Sequence, residues 1–171
     1  TRYGVGRKRP DLVARFGLES CPVVMTTGRI ELESAERNKG FDEVLEALPL
    51  IAEAAPDIKY LVMGDGDGQG ALAEKAQALN VSERVIFCGY VAEQDKADYY
   101  RLADVVAMPG SNPLFDRYPF RFAFLEPLAC GIPVVASKLE DPSEQNDPAA
   151  RALLIQVDPA SREDIARGVI E

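Results

Sequence analysis

The chain has 171 residues, 28 of them acidic and 19 basic, which gives a formal net charge of −9, and it contains no histidine. The missing histidine excludes Ser-His-Asp and Cys-His catalysis and most transition-metal sites, and the negative charge argues against a broad nucleic-acid surface. No apolar run approaches the roughly 20 residues of a membrane span, so no transmembrane segment is predicted. Cys21, Cys88 and Cys130 sit beside apolar residues without metal-ligand spacing, which predicts buried, reduced thiols of a cytosolic protein.

Strands and helices alternate along the chain. Residues 1–20 predict a basic lead-in with a short helix from Pro10, and residues 21–171 predict one domain. The predicted strands are 22–28, 58–64, 84–89, 104–110, 133–137 and 152–157, and the predicted helices are 41–56, 71–79, 96–103, 119–130 and a last one from Ser161. The strands are continuous apolar blocks, as expected when helices cover both faces of a sheet. The pattern therefore predicts an α/β domain with a mostly parallel six-stranded sheet.

The first candidate site lies at the turn after the first strand. Parallel sheets bind ligands at the carboxyl ends of their strands, so these turns carry the candidate chemistry. Arg29 directly follows the first strand, and Lys39 directly precedes the next helix. Guanidinium and ammonium groups both bind phosphate oxygens. On spacing alone, the alternative is that both are ordinary surface charges.

The turn after the second strand reads GDGDGQGA and fits a dinucleotide-binding pattern at Gly66, Gly68 and Ala71. Asp65 and Asp67 would repel a pyrophosphate at this place. The favoured interpretation is therefore a flexible turn that lets a ligand approach the main chain.

Two later segments carry polar groups in apolar surroundings. Tyr99 and Tyr100, in the helix 96–103, are interpreted as packing residues. Glu126 stands alone in the apolar run FLEPLACGIPVVAS, and burial of an unpaired charge costs several kcal/mol, roughly as for other desolvated ions. A polar partner is therefore expected. A ribose is one candidate partner, while pairing with a local arginine, or exposure to solvent, is the alternative.

The helix that carries Glu126 also predicts an anion site. Pro119 suits the first helical position, so free backbone N–H groups lie near Tyr118 and Arg121 and attract an anion. Glu126 lies about two turns further along, at 1.5 Å per residue. That separation suits a carboxylate that accepts hydrogen bonds from a ribose whose phosphate is held at the helix tip.

The segments TTGR, NKGF, VLEAL, KYLVMGDGD, ERVIFCGYV, YYRLADVVAMPG and FLEPLACGIPVVAS follow one another over residues 10–170. In this order they resemble the carboxyl-terminal half of the retaining glycosyltransferases of family 4 (glycosyl transferases group 1). The resemblance implies one Rossmann-like half of a GT-B fold. Arg29 and Lys39 match the basic pair that holds the donor diphosphate. Glu126 matches the second Glu of the family's motif of two glutamates separated by seven residues, which binds the ribose hydroxyls.

The resemblance also assigns main-chain contacts. The segment around Val85, Ile86 and Phe87 matches the one that lines the nucleotide base, and amides near Phe122 and Ala123 match those that face the phosphates and the sugar. Arg29 and Lys39 are the residues predicted to be catalytic, because they stabilise the departing diphosphate. The predicted donor-binding residues are Gly28, Arg29, Lys39, Gly64, Asp65, Val85, Ile86, Tyr118, Arg121, Phe122, Ala123 and Glu126.

The chain departs from the family pattern at one position. Tyr118 stands where the first Glu of the motif is expected, and the glycine-rich segment that usually follows is replaced by PFRF. In the family that Glu contacts the transferred sugar. We expect Tyr118 and Arg121, or Asp116 in a shifted loop, to take over part of this contact.

The resemblance implies transfer of a sugar from a nucleoside diphosphate to an acceptor hydroxyl, with retention and without a metal or other cofactor, as in polysaccharide biosynthesis. The expected partners are the nucleotide sugar and an amino-terminal acceptor-binding domain of the same protein, with no nucleic acid. The chain alone is expected to bind the donor but to turn over little or nothing. The expected location is the cytoplasm, with the amino-terminal domain as a route to peripheral attachment at the inner membrane.

Three alternatives remain at this stage. A nicotinamide-dependent oxidoreductase would need a glycine fingerprint at the first turn, and GRIELES lacks one. A non-catalytic nucleotide-binding or regulatory module could use the same sheet. A GT-B nucleotide-sugar epimerase would need additional acid–base groups.

Overall fold

The computed structural model describes residues 3–32, 39–110, 122–137 and 152–171. All six predicted strands and every predicted helix have a counterpart there. Residues 138–151, between the fifth and sixth predicted strands, and the predicted first helical turn at Pro119 lie outside the described residues. The elements in chain order are α1 (Pro10–Phe16), β1 (Val23–Thr27), α2 (Phe41–Ala54), β2 (Lys59–Met63), α3 (Gln69–Ala78), a 3₁₀ turn (Ser82–Arg84), β3 (Val85–Gly89), α4 (Lys96–Tyr100), β4 (Val105–Met108), α5 (Phe122–Ala129), β5 (Val134–Ser137), β6 (Leu154–Val157) and α6 (Arg162–Ile170).

The six strands form one parallel sheet in the order β3-β2-β1-β4-β5-β6. At the centre of the sheet, Met25 of β1 pairs with Leu61 of β2 on one side and with Val106 of β4 on the other. The predicted Rossmann-like α/β fold is confirmed. The strand order reverses between β1 and β4, and in sheets of this type a crevice opens beyond the carboxyl ends of the strands at this reversal.

Two layers of helices bury the sheet. Val24 and Met25 are consecutive residues of β1, and they face opposite layers, because successive strand side chains point to opposite faces. One layer contains α2, α3 and α6, and the other contains α1, α4 and α5 with Tyr100. The apolar positions at helical spacing in α2 are fully buried in the first layer: Val44, Leu45, Leu48 and Ile51.

The lead-in segment packs onto the sheet. Leu12 of α1 is 6% exposed and belongs to the second layer. Lys8 pairs with Asp104 at 2.7 Å, and the guanidinium of Arg101 donates two hydrogen bonds to the carbonyl oxygen of Gly4. The segment that begins at residue 3 is therefore held across the ends of α4 and α5. Across the described ranges, no helix combines the length and apolar character that a membrane crossing requires.

Candidate functional site

A cleft of roughly 610 Å³ lies beyond the carboxyl ends of β1 and β2. Four of the predicted binding residues line it: Gly28, Arg29, Gly64 and Asp65. The cleft borders the carboxyl end of β1, which is one of the two strands at the reversal of strand order. The strand-end rule applied to the sequence therefore selected residues that the fold brings together.

The floor of the cleft is made of main chain from two neighbouring loops. The amide of Ile30 donates to the carbonyl oxygen of Asp65 at 3.0 Å. Gly64 and Gly66 have φ of 143° and 152°. A Cβ on Gly64 would collide with the carbonyl oxygen of Gly28, and a Cβ on Gly66 with that of Ile30. Gly64 and Gly66 are thus required by contact between the two loops, and both border the cleft.

The two predicted phosphate-binding cations approach the same edge of the cleft. The stem of Lys39 lies over Gly28, since a Cβ at Gly28 would stand 2.9 Å from the Cγ of Lys39. The Arg29 side chain is 75% exposed, and its Nε lies 3.4 Å from a carboxylate oxygen of Glu31. An exposed ion pair of this kind contributes little, about 0–1 kcal/mol. The guanidinium can therefore reorient toward an anionic ligand at small cost.

Protein groups contact the Glu126 carboxylate from three sides. Its Oε2 accepts a hydrogen bond from the Tyr100 hydroxyl at 2.7 Å. Its Oε1 accepts one from the Tyr3 hydroxyl at 3.1 Å and lies 3.9 Å from the Nζ of Lys96. The polar partner expected from the sequence is thus supplied by two tyrosines and a lysine. The ribose contact of Glu126 stays a prediction, and a ribose hydroxyl would have to share or replace one of these contacts.

A second carboxylate extends this network. Glu93 accepts a hydrogen bond from the Tyr3 hydroxyl at 2.8 Å and pairs with Lys96 at 2.8 Å. Burial alone would lower the pKa of Lys96, but the hydrogen bond to Glu93 and the charge of Glu126 raise it above its ordinary value. Burial and then the bond to Glu126 raise the pKa of Tyr100. Both groups therefore stay protonated and act as donors at neutral pH.

Sequence reasoning missed several residues that line the cleft, among them Tyr90, Val91 and Lys96. They follow β3 at its carboxyl end, so the rule that selected Arg29 would also have selected them. Val85 and Ile86, by contrast, are the first two residues of β3 and are not part of the cleft lining. Their assignment to the nucleotide base stays a prediction.

The remaining predicted residues precede α5 in the sequence or begin it. Phe122 and Ala123 are its first two residues, while Tyr118, Arg121 and Asp116 lie outside the described residues. Among the side chains that the structure places, no three His, Cys, Asp or Glu residues come close enough to hold a metal ion. The described lining of the cleft combines the Arg29 and Lys96 cations, the Asp65 carboxylate and glycine main chain.

Comparison with known proteins decides the family. The model for glycosyl transferases group 1 matches residues 28–171. The chain belongs to this family. As a group 1 glycosyltransferase sequence, it is 32% identical over 128 residues to the GDP-mannose-dependent alpha-(1-6)-phosphatidylinositol monomannoside mannosyltransferase of Mycolicibacterium smegmatis, an alignment that covers 72% of this chain and 32% of that protein.

A second relative of this group 1 glycosyltransferase chain is the mannosylfructose-phosphate synthase of Agrobacterium fabrum. The identity is 31% over 132 residues, covering 72% of this chain and 26% of the synthase. The chain therefore spans about a quarter to a third of the length of the curated relatives it matches.

Solved structures share the fold of this group 1 glycosyltransferase chain. Sucrose-phosphate synthase from Thermosynechococcus elongatus superposes with a TM-score of 0.67 at 25% identity, over 95% of this chain and 39% of that one. HepE of Anabaena, solved in complex with UDP and glucose, superposes with a TM-score of 0.71 at 23% identity, over 95% of this chain and 42% of HepE. A carboxyl-terminal domain of a group 1 glycosyltransferase (LpcC) from Francisella tularensis superposes with a TM-score of 0.67 at 22% identity, over 95% of this chain and 82% of that domain. The sheet is thus the Rossmann-like type found in one half of GT-B glycosyltransferases.

Proposed function

We propose that this chain is the donor-binding domain of a retaining glycosyltransferase of family 4, and that it binds a nucleoside-diphosphate sugar in the cleft beyond β1 and β2. The observation that carries the proposal is the convergence on this cleft of Arg29, a glycine main-chain floor and Lys96, which itself approaches Glu126. The names of relatives support the donor class: one is dependent on GDP-mannose, and another is solved with UDP and glucose.

In the proposed complex, the diphosphate lies at the edge where Arg29 and Lys39 meet Gly28. The main chain at Phe122 and Ala123 faces the phosphates or the sugar. Cleavage of the donor leaves negative charge on the diphosphate, and preorganised cations and amides stabilise such charge by about 3–4 kcal/mol per donor group. Fixed protein cations thus do the work that a metal ion does in other enzymes, and no cofactor is required.

The same pose places the nucleoside along the other side of the cleft. The ribose hydroxyls approach Glu126 from the Tyr3 side, and the base lies toward Tyr90 and Val91 after β3. Acceptor recognition and any general base belong to an amino-terminal domain of the same protein. This division agrees with a chain that spans about a quarter to a third of its relatives. The chain alone is proposed to bind the donor and to turn over little.

Calorimetry tests the proposal directly. UDP, GDP, ADP and dTDP and their sugars are titrated into the parent chain and into Arg29→Ala, Lys39→Ala and Glu126→Ala. One nucleoside diphosphate is expected to bind, and loss of one charged contact should weaken binding by about 1.5–3 kcal/mol, which is roughly ten- to 150-fold.

A matched control removes a cation elsewhere. Arg162 is 64% exposed on α6 and pairs with its neighbour Glu163, so Arg162→Ala should bind as the parent does. Thermal unfolding of each variant separates loss of binding from loss of the fold. The proposal fails if no nucleoside diphosphate binds, or if all three cleft variants bind like Arg162→Ala.

A further inference from the structure

Tyr100 connects the core of the domain to the Glu126 carboxylate. It is the last residue of α4, and its side chain is 1% exposed within the second helical layer. The ring is therefore held by packing on all sides. Its hydroxyl emerges at the carboxylate of Glu126, to which it donates at 2.7 Å.

Burial has the largest effect on the pKa of the Tyr100 hydroxyl and raises it, while the Thr27 side chain lowers it. Thr27 is the last residue of β1, is 8% exposed and borders the cleft. The Tyr100 hydroxyl thus lies between the carboxyl end of β1 and the Glu126 carboxylate on α5. The short hydrogen bond from the buried Tyr100 restrains the Glu126 side chain, which is 26% exposed.

The two oxygens of Glu126 are held differently. Oε2 accepts the short hydrogen bond from the buried Tyr100. Oε1 accepts the longer bond from Tyr3, whose hydroxyl also lies 2.8 Å from Glu93. A phenol has one proton to donate, so Tyr3 divides it between two carboxylates. Oε1 is therefore the oxygen from which a ligand hydroxyl can displace a protein hydroxyl, while Oε2 stays held.

We infer that Tyr100 is a positioning residue that fixes Oε2 of Glu126 and thereby turns Oε1 toward the ribose hydroxyls of the donor. The inference rests on the proposed function, because it assigns a task to Tyr100 only if Glu126 binds ribose. Tyr100 itself does not contact the donor. It acts by removing the rotational freedom that Glu126 would otherwise lose on binding, and such preorganisation increases affinity.

The test compares ribose with deoxyribose. UDP, GDP and ADP, and their 2′-deoxy counterparts dUDP, dGDP and dADP, are titrated into the parent, Tyr100→Phe and Tyr99→Phe. Tyr99 is the neighbour of Tyr100 in α4, but its ring packs edge-on against Phe16 at 5.9 Å between centroids. It is therefore a matched control for the loss of one tyrosine hydroxyl.

Tyr100→Phe should bind the preferred ribonucleotide roughly tenfold more weakly, with little change for the deoxynucleotide. The parent's preference for ribose over deoxyribose should therefore shrink in this variant and persist in Tyr99→Phe. A residue with only a structural role would weaken both ligands alike. Tyr100→Phe keeps the packed ring, and its thermal unfolding reports whether the fold is intact.

A second variant covers the case in which Tyr100→Phe is unstable. Glu126→Asp leaves Tyr100 in place and withdraws the carboxylate by one methylene, so it should reduce the same preference. If either folded variant keeps the parent's preference, the inference is overturned while the proposed function stands. If the parent binds none of the six nucleotides, the proposed function fails, and the inference fails with it.

Discussion

Replacement of Gly64 by alanine tests the interpretation of the cleft floor. Gly64 follows β2 with φ of 143°, and its amide donates to the carbonyl oxygen of Gly89 at 3.0 Å. A Cβ added there would collide with the carbonyl oxygen of Gly28. Because that oxygen belongs to the main chain at the end of β1, it cannot rotate away as a side chain could. Either the turn after β2 or the turn after β1 must move.

The expected cost has two parts. A non-glycine residue in a glycine-only conformation costs about 1–3 kcal/mol, and one weakened main-chain hydrogen bond adds roughly 1 kcal/mol. Gly64→Ala should therefore lower the free energy of unfolding by about 2–4 kcal/mol. For a chain of this length, this corresponds to a melting temperature lower by about 5–15 °C. Urea and thermal unfolding followed by circular dichroism measure both quantities.

Gly70 provides the matched control. It lies in α3, and no heavy atom stands within 4 Å of a Cβ built on it. Gly70→Ala should leave stability unchanged or raise it by about 0.5–1 kcal/mol, since alanine loses less entropy in a helix. Unfolding of Gly64→Ala at the parent's stability, or equal effects of the two substitutions, would contradict the predicted clash at Gly64.

Two further predictions concern the core. The hydroxyl of Thr26 is fully buried; it donates a hydrogen bond to the carbonyl oxygen of Ala107 at 2.7 Å and accepts one from the Tyr60 hydroxyl at 2.9 Å. Thr26→Val should therefore lower the free energy of unfolding, measured in urea, by about 1–3 kcal/mol. The double variant Thr26→Val/Tyr60→Phe should lose less free energy of unfolding than the sum of the two single variants. Strict additivity would contradict the hydrogen bond between Thr26 and Tyr60. Burial raises the pKa of Cys88 to about 12, so at pH 8 the folded chain holds almost no thiolate at this position. Iodoacetamide should therefore label Cys88 much more slowly in the folded chain than in urea, which peptide mass spectrometry measures. Equal labelling rates in the two conditions would contradict the burial of this thiol.

Local patterns in the sequence are sufficient to predict the strands of the sheet. The strand 22–28 is predicted from its apolar run PVVM, and all five residues of β1 are buried, as expected between two helical layers. The strand-end rule then located Arg29 and Gly64 at the cleft. These predictions succeed because burial and chain direction act on neighbouring residues.

Contacts between distant segments could not be predicted in this way. The tyrosines that hold Glu126 lie 123 and 26 residues away from it, and no local spacing connects them. Tyr100 was interpreted as a packing residue, which its ring is, but its hydroxyl has a second task. The clash that requires Gly64 involves Gly28 from another loop, so the glycine pattern alone suggested flexibility where the fold requires a tight approach.

The interlocked loops under the cleft have a consequence for how this scaffold can be altered. Since peptide groups rather than side chains form that base, exchanges at Asp65 or Tyr90 change what the rim offers to a ligand without shifting the platform beneath it. A designer seeking another sugar carrier can therefore vary the rim freely, provided that the two glycines on which the platform depends are left untouched.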